Sequence, residues 1–243
     1  MKLFVVLSCL LAGCLAQRPH PCSSPPLLSG ALSVSSQNEK LWVTARYLYD
    51  ALGQRIRLDE FGSHDNKTFS LDVLLLYREA TMYEIFHHNK TCKKMPLKAD
   101  FQPLGIPKTA SLLGQSVLGS SSGPGQGLLV NTWIGDLPDK QGERGCNGFK
   151  VSPLRIDPCH FIDTVTFVSV PPGKFMTTVT EFGCIPITTL YHTDQFGWMM
   201  TNFFNNVIGI SDPSQLNPPD FCPETEDSTE EPADFLSLFL TMH

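Results

Sequence analysis

Three features of the 243-residue sequence predict an all-β fold: apolar residues alternate with period two, turn-forming residues punctuate these runs, and no dependable long helical pattern occurs. The strongest run is Phe69 to Lys94. Phe69, Leu71, Val73, Leu75 and Tyr77 share one face of an extended strand, while Leu74 and Leu76 make the opposite face apolar too. Such a strand is expected to be covered on both sides. Arg78-Glu79-Ala80 breaks the run, and Thr81 to Phe86 begins the return of a central hairpin that reaches Cys92.

Around this hairpin the other elements follow in order. Arg18 to Ser29 is rich in Pro and Ser and reads as an irregular lead-in. Ala31 to Ser35 predicts a short strand. Lys40 to Tyr49 predicts a longer one, with Leu41, Val43, Ala45, Tyr47 and Tyr49 opposite Trp42, Thr44, Arg46 and Leu48. Gln54 to Leu58 alternates again, and Phe61 to Lys67 reads as a turn. Three prolines, at 96, 103 and 107, argue against a helix over Lys93 to Lys108. Leu112 to Leu118 and Gly127 to Ile134 predict strands, followed by the turn-rich stretch Asp136 to Pro158. Phe161 to Val170, Lys174 to Phe182 and Ile185 to Thr193 have meander spacing, and Val207, Ile208 and Ile210 favour a strand over Trp198 to Ile210. Roughly nine strands of this kind suit a sandwich or a half-open barrel.

The ends bound the cell biology. Lys2, the apolar stretch Leu3 to Ala12 and Cys14-Leu15-Ala16 predict a secretory signal over residues 1–16, although Leu11-Ala12-Gly13-Cys14 also resembles a lipoprotein box. Residues 17–222 would form one β domain and 223–243 an acidic tail. Six cysteines remain after the signal, namely Cys22, Cys92, Cys146, Cys159, Cys184 and Cys222. In a secreted chain they imply three disulfides, with fifteen connectivities open to spacing alone. The sequons Asn66-Lys67-Thr68 and Asn89-Lys90-Thr91 mark Asn66 and Asn89 for glycosylation.

Net charge is −6, or −7 once Lys2 leaves with the signal. Six of the negative charges sit in the tail, so residues 17–222 carry about −1. That balance excludes a nucleic-acid footprint, and no second segment is long and apolar enough to span a membrane. No zinc-ligand spacing, nucleophile elbow, phosphate-binding glycine loop or contiguous calcium loop is present, which argues against an enzyme. A surplus of apolar residues stands instead. Trp42, Tyr47, Phe69, Val73, Leu75, Met82, Ile85, Trp133, Phe167, Met176, Trp198, Met200 and Phe203, with Phe204, exceed the needs of a thin sandwich seam. They either fill a core or line a hydrophobic pocket suited to flexible apolar ligands.

The segments Arg18-Pro19-His20-Pro21-Cys22, Leu71-Asp72-Val73-Leu74, Met82-Tyr83-Glu84-Ile85 and Thr91-Cys92-Lys93-Lys94 resemble the ependymin-related family in order and spacing. Gly183-Cys184-Ile185-Pro186-Ile187, Ile208-Gly209-Ile210-Ser211-Asp212-Pro213 and Pro218-Pro219-Asp220-Phe221-Cys222 extend the resemblance over the mature chain. It implies two stacked, curved antiparallel sheets forming a half-open barrel around a deep hydrophobic pocket, similar to bacterial lipoprotein carriers. It also implies a secreted or lysosomal-lumen homodimer that binds lipids, anionic lipids and gangliosides among them, with calcium associated and no other cofactor. The alternative is an extracellular-matrix adhesion glycoprotein acting through calcium and surface contacts. By the same resemblance Cys22 pairs with Cys184 and Cys92 with Cys222, leaving Cys146 with Cys159, where the sequence departs from the mammalian pattern.

Overall fold

The computed structural model describes residues 18–36, 41–64, 67–97, 100–136, 174–193 and 197–222. Residues 1–16, the tail 223–243, Asn66, the strand expected over Phe161 to Val170 and its Phe167, and Cys146 and Cys159 lie outside the described residues.

The all-β expectation is borne out. Eleven strands are described: β1 (Leu27–Ser36), β2 (Trp42–Asp50), β3 (Arg55–His64), β4 (Lys67–Leu76), β5 (Thr81–Phe86), β6 (Thr91–Pro96), β7 (Ser111–Gly119), β8 (Gly127–Asp136), β9 (Lys174–Thr180), β10 (Pro186–Thr193) and β11 (Gly197–Ile208). They form one antiparallel sheet in the order β6-β5-β4-β3-β2-β1-β11-β10-β9-β8-β7. Two meanders, β1–β6 and β7–β11, are thus joined where β1 pairs with β11. Among the described residues the sheet is not closed into a barrel, since β6 and β7 are its edges.

Three local expectations need correction. β1 begins at Leu27, inside the stretch expected as an irregular lead-in, because Leu27 to Ser29 pair with Leu48 to Asp50 on β2. Phe61 to His64 continues β3 instead of turning, because Phe61↔Ser70 and Gly62↔Phe69 stay in register with β4. β6 runs on to Pro96, into the stretch expected to be a connection, and as an edge strand it tolerates the proline there.

The central hairpin is buried on both faces for separate reasons. On one face Phe69, Leu71, Val73 and Leu75 join the main core with Leu28, Leu32, Val43, Ala45, Leu58, Met82 and Phe203. On the other, Leu74, Leu76, Tyr83 and Ile85 are capped by Leu216. Leu216 comes from a 3-10 turn, Pro213–Leu216, whose preceding Asp212 accepts from the Ser214 amide at 3.1 Å. Cys92–Cys222 clamps that segment to β6, and Cys22–Cys184 ties the lead-in to the β9–β10 turn.

Curvature follows from where the apolar groups go. Right-handed twist already coils a long sheet, and the main core draws residues from β1 to β6 and β11 into one cluster. Tyr47 on β2 meets Phe203 on β11 edge to face at 5.9 Å, and Phe101 from the connection after β6 stacks on Tyr49.

Candidate ligand-binding face

The ladder registers define what stands on the buried face. One row crosses the sheet through Trp133, Thr177, Thr189, Thr201, Val34, Val43, Gly62 and Phe69. A neighbouring row runs through Phe203, Leu32, Ala45, Glu60 and Leu71. The β1–β6 part is therefore almost wholly apolar, whereas β9–β11 contribute a ladder of threonines. Thr177 Oγ1 lies 3.0 Å from Thr189 Oγ1, and both Thr177 and Thr201 are buried. Beyond it, Gln115 Nε2 donates to Asn131 Oδ1 at 3.0 Å, and Asn131 Nδ2 donates to Glu181.

Close packing at the seam between the meanders requires a glycine. Gly30 stands where β1 shifts register against β11, and a Cβ there would meet Asn206 Oδ1 at 2.8 Å and Tyr47 Cε1 at 3.0 Å. Without it the Tyr47 ring crosses β1, and its hydroxyl donates to Asn206 Oδ1 at 2.6 Å. Asn206 Nδ2 in turn donates to the Pro186 carbonyl at 2.9 Å. Burial raises the Tyr47 phenol far above its ordinary range, so it stays a neutral donor.

Two buried polar atoms on this face have no hydrogen-bond partner among the described residues: Glu60 Oε2 and Trp133 Nε1. Glu60 is 2% exposed. Desolvation, reinforced by the charges of Asp59 and Asp72, pushes its carboxyl well above the usual carboxylate range. Period-two alternation hides this residue: Glu60 occupies the inward parity of β3 with Ile56 and Leu58, and the assignment of 61–67 to a turn removed the strand that would have exposed the conflict.

Of the thirteen residues expected to line a pocket, the twelve that are described divide between the faces, Phe167 lying outside the described residues. Tyr47, Phe69, Val73, Leu75, Met82, Trp133 and Phe203 stand on the buried face. Ile85 instead packs on the opposite side under Leu216. Trp42, Met176, Trp198 and Met200 also point to the outer face. Trp42, Trp198 and Met200 are 47%, 43% and 40% exposed. With Leu190 and Ile134 they form a cross-strand apolar stripe through β2, β11, β10, β9 and β8.

Between this stripe and the apolar patch under Leu216 the outer face carries a polar cluster. Arg57 holds Asp72 through Nε at 2.9 Å and Nη2 at 2.6 Å, while its Nη1 donates to the Gln215 carbonyl at 2.7 Å. Hydrogen bonding to Asp72 raises the Arg57 pKa despite burial. His87 Nε2 lies 2.6 Å from the same Asp72 oxygen. These residues, with Ser29, Gly30, Arg46, Tyr47, Leu48 and Asp59, line an open groove of about 490 Å³. Its charged groups are already committed to one another, Arg46 to Asp59 and Arg57 to Asp72.

Asn89 is exposed in the β5–β6 turn, where its Oδ1 accepts from the Thr91 amide and hydroxyl. Among the described residues, no group of three or more His, Cys, Asp or Glu side chains is placed to hold a metal ion. None of the described helices is long and apolar enough to cross a membrane.

These features define a disulfide-bonded antiparallel β protein whose buried face is apolar across β1–β6 and threonine-bearing across β9–β11. The chain belongs to the ependymin family, whose model matches residues 65–169 and 168–222. Among its relatives is Ependymin-2 of Carassius auratus, 29% identical over 99% of this chain and 97% of that protein. Ependymin-1 of Oncorhynchus mykiss is 30% identical over 95% and 93%. Mammalian ependymin-related protein 1 of Mus musculus is 28% identical over 84% and 77%. The family is one of secreted glycoproteins and a non-enzymatic one.

Proposed function

We propose that the protein is a secreted carrier that holds an apolar ligand against the buried face of its curved sheet. The observation that carries this reading is the pair of orphaned polar atoms, Glu60 Oε2 and Trp133 Nε1, on a face whose other groups are hydrocarbon or threonine and asparagine side chains hydrogen-bonded to one another. A core closed by its own side chains rarely leaves such groups without partners, because each costs about 1–3 kcal/mol of desolvation. A ligand bearing both an apolar body and a polar group would remove that cost. Each acyl methylene withdrawn from water contributes about 0.8 kcal/mol, so a chain of modest length binds without any reactive group.

The test is native mass spectrometry of the protein secreted from cells, followed by delipidation and titration with a fluorescent fatty-acid or ganglioside probe. Retained lipid and saturable uptake are the expected results. Protein that emerges without ligand and takes up neither probe overturns the reading.

The outer stripe supports a second element, a homodimer. Trp42, Met200, Leu190, Met176 and Ile134 lie on successive paired strands, apart from Ser35 between Trp42 and Met200. At about 4.8 Å per strand the stripe is about 24 Å long, and contiguous exposed apolar surface favours association. Trp and Met are residues that interfaces favour. Sedimentation of the double variant Trp42→Ser, Met200→Ser should show monomer where the wild type sediments as dimer.

A further inference from the structure

We infer that Glu60 is the internal recognition point of the carrier, and that its ligand is an uncharged amphiphile presenting a hydroxyl or amide to this carboxyl deep within the buried face. The inference rests on the carrier reading above and specifies its ligand class.

Every direction from the carboxyl along the sheet leads to groups that cannot serve it. Its register partners are Ala45 on β2 and Leu71 on β4, and its same-face neighbours on β3 are Leu58 and Gly62. The diagonal neighbours are Val43, Tyr47, Phe69 and Val73. Tyr47 is the one polar group among these eight, and its hydroxyl already donates to Asn206. The place beside Glu60 left by Gly62 is closed by the Phe69 ring, whose Cζ lies 2.9 Å from where a Cβ would stand. Glu60 Oε2 is thus buried, without a partner among the described residues, and enclosed by hydrocarbon on its own sheet.

Such a group discriminates among ligands by elementary electrostatics. An anionic head brought beside it would lose its hydration in a low dielectric, near the negative charges of Asp59 and Asp72. A plain alkane would bury the same surface and leave the carboxyl unsatisfied. A hydroxyl or amide satisfies it, because a protonated acid both donates and accepts. Burial and the fields of Asp59 and Asp72 favour that protonated form. A fatty acid is therefore expected to bind with its carboxylate directed away from Glu60.

The experiment displaces diphenylhexatriene, a purely apolar fluorophore, from the full secreted protein with dodecan-1-ol, dodecane or dodecanoate. Glu60→Leu should weaken dodecan-1-ol about tenfold, the worth of one satisfied buried hydrogen bond. It should change dodecane less than about twofold, because the apolar contact is kept. Glu60→Gln should retain most of the alcohol preference. A Glu60→Leu protein that loses both ligands equally, or neither, overturns the inference. A wild type that takes up diphenylhexatriene and binds the alcohol no better than the Leu variant leaves a carrier but not this recognition point. A wild type that takes up no fluorophore overturns both. Infrared difference spectra of the wild type provide a readout that does not depend on the Leu variant folding. The carbonyl stretch of a protonated carboxyl, absent in Glu60→Gln, should move on adding dodecan-1-ol and stay fixed with dodecane; a band unmoved by the alcohol overturns the assignment.

Discussion

The two meanders of the sheet are built on different physics. In β1–β6 the buried face is nearly continuous hydrocarbon, with Leu28, Leu58, Val73 and Met82 fully buried. The outer face there is cross-braced by Arg46–Asp59, Arg55–Asp50 and Arg57–Asp72. In β7–β11 the same face carries Thr177, Thr189, Thr201 and Asn131, held by hydroxyl and amide hydrogen bonds. Its edge strand β7 has Leu113, Val117 and Leu118 exposed, with no charge or proline to guard it. Apolar burial contributes in proportion to area, while a hydrogen bond contributes about 1 kcal/mol net. The first meander is therefore the stable unit, and the second depends on its attachments.

The largest effect should come from cutting an attachment. Replacing Cys22 and Cys184 by Ala opens a link between residues 162 apart in sequence. Chain entropy puts its worth at about 4–5 kcal/mol. Chemical denaturation should register that loss, and hydrogen exchange should show β9 and β10 opening before β4. Uniform loosening of both meanders would dissolve the contrast.

Next in size, Leu58→Ala should cost about 3 kcal/mol, since the side chain is wholly buried. Leu118→Ala, 54% exposed, should cost less than about 0.5 kcal/mol. Equal losses in urea melts would show that β7 is as deeply packed as β3.

Arg57→Ala should cost about 2 kcal/mol, less than a fully enclosed pair because the arginine side chain retains 15% exposure. It strands Asp72 and releases the Gln215 carbonyl, so the Pro213–Leu216 turn should exchange amide protons faster as well. Unchanged exchange there would mean that Leu216 and Cys92–Cys222 suffice to hold the turn.

The subtlest effect is a difference of slopes with pH. Glu60 has a raised pKa in the fold, so below its ordinary value of 4.5 it is protonated folded or unfolded and has no linkage effect. As pH rises, the unfolded chain releases a proton that the folded chain keeps, and stability falls towards the folded pKa. Asp50 works in the opposite sense. Burial alone would raise it, but the Gly53 amide and Arg55 outweigh that and lower it, so its contribution is lost as pH falls through acid values. The melting temperature of ligand-free Glu60→Gln minus that of the wild type should grow from pH 4.5 upward. A constant difference would mean that Glu60 is not the group responsible.

Much of the first meander was legible because alternation there is strict. Val43, Ala45, Tyr47 and Tyr49 face inward as their parity requires, and β4 is covered on both sides as its double apolar pattern implies. The candidate site was legible only by halves. Composition singled out Trp42, Met176, Trp198 and Met200 together with Tyr47 and Phe203, because a large apolar side chain looks the same whether it faces a core, a ligand or a partner. Parity could have separated Trp198 and Met200 from Met199 and Phe203, had the strand register of 197–208 been fixed.

Local chemistry determined most of the strands, though not every end of them, together with the oxidised cysteines and the resemblance to ependymins, for each rests on residues near in sequence or on their order. Which face an apolar residue joins, that β1 closes onto β11, and that Glu60 lies without a partner among hydrocarbon were decided by the tertiary structure. Those outcomes depend on register between segments far apart in the chain, and a shift of one residue exchanges the two faces of a strand.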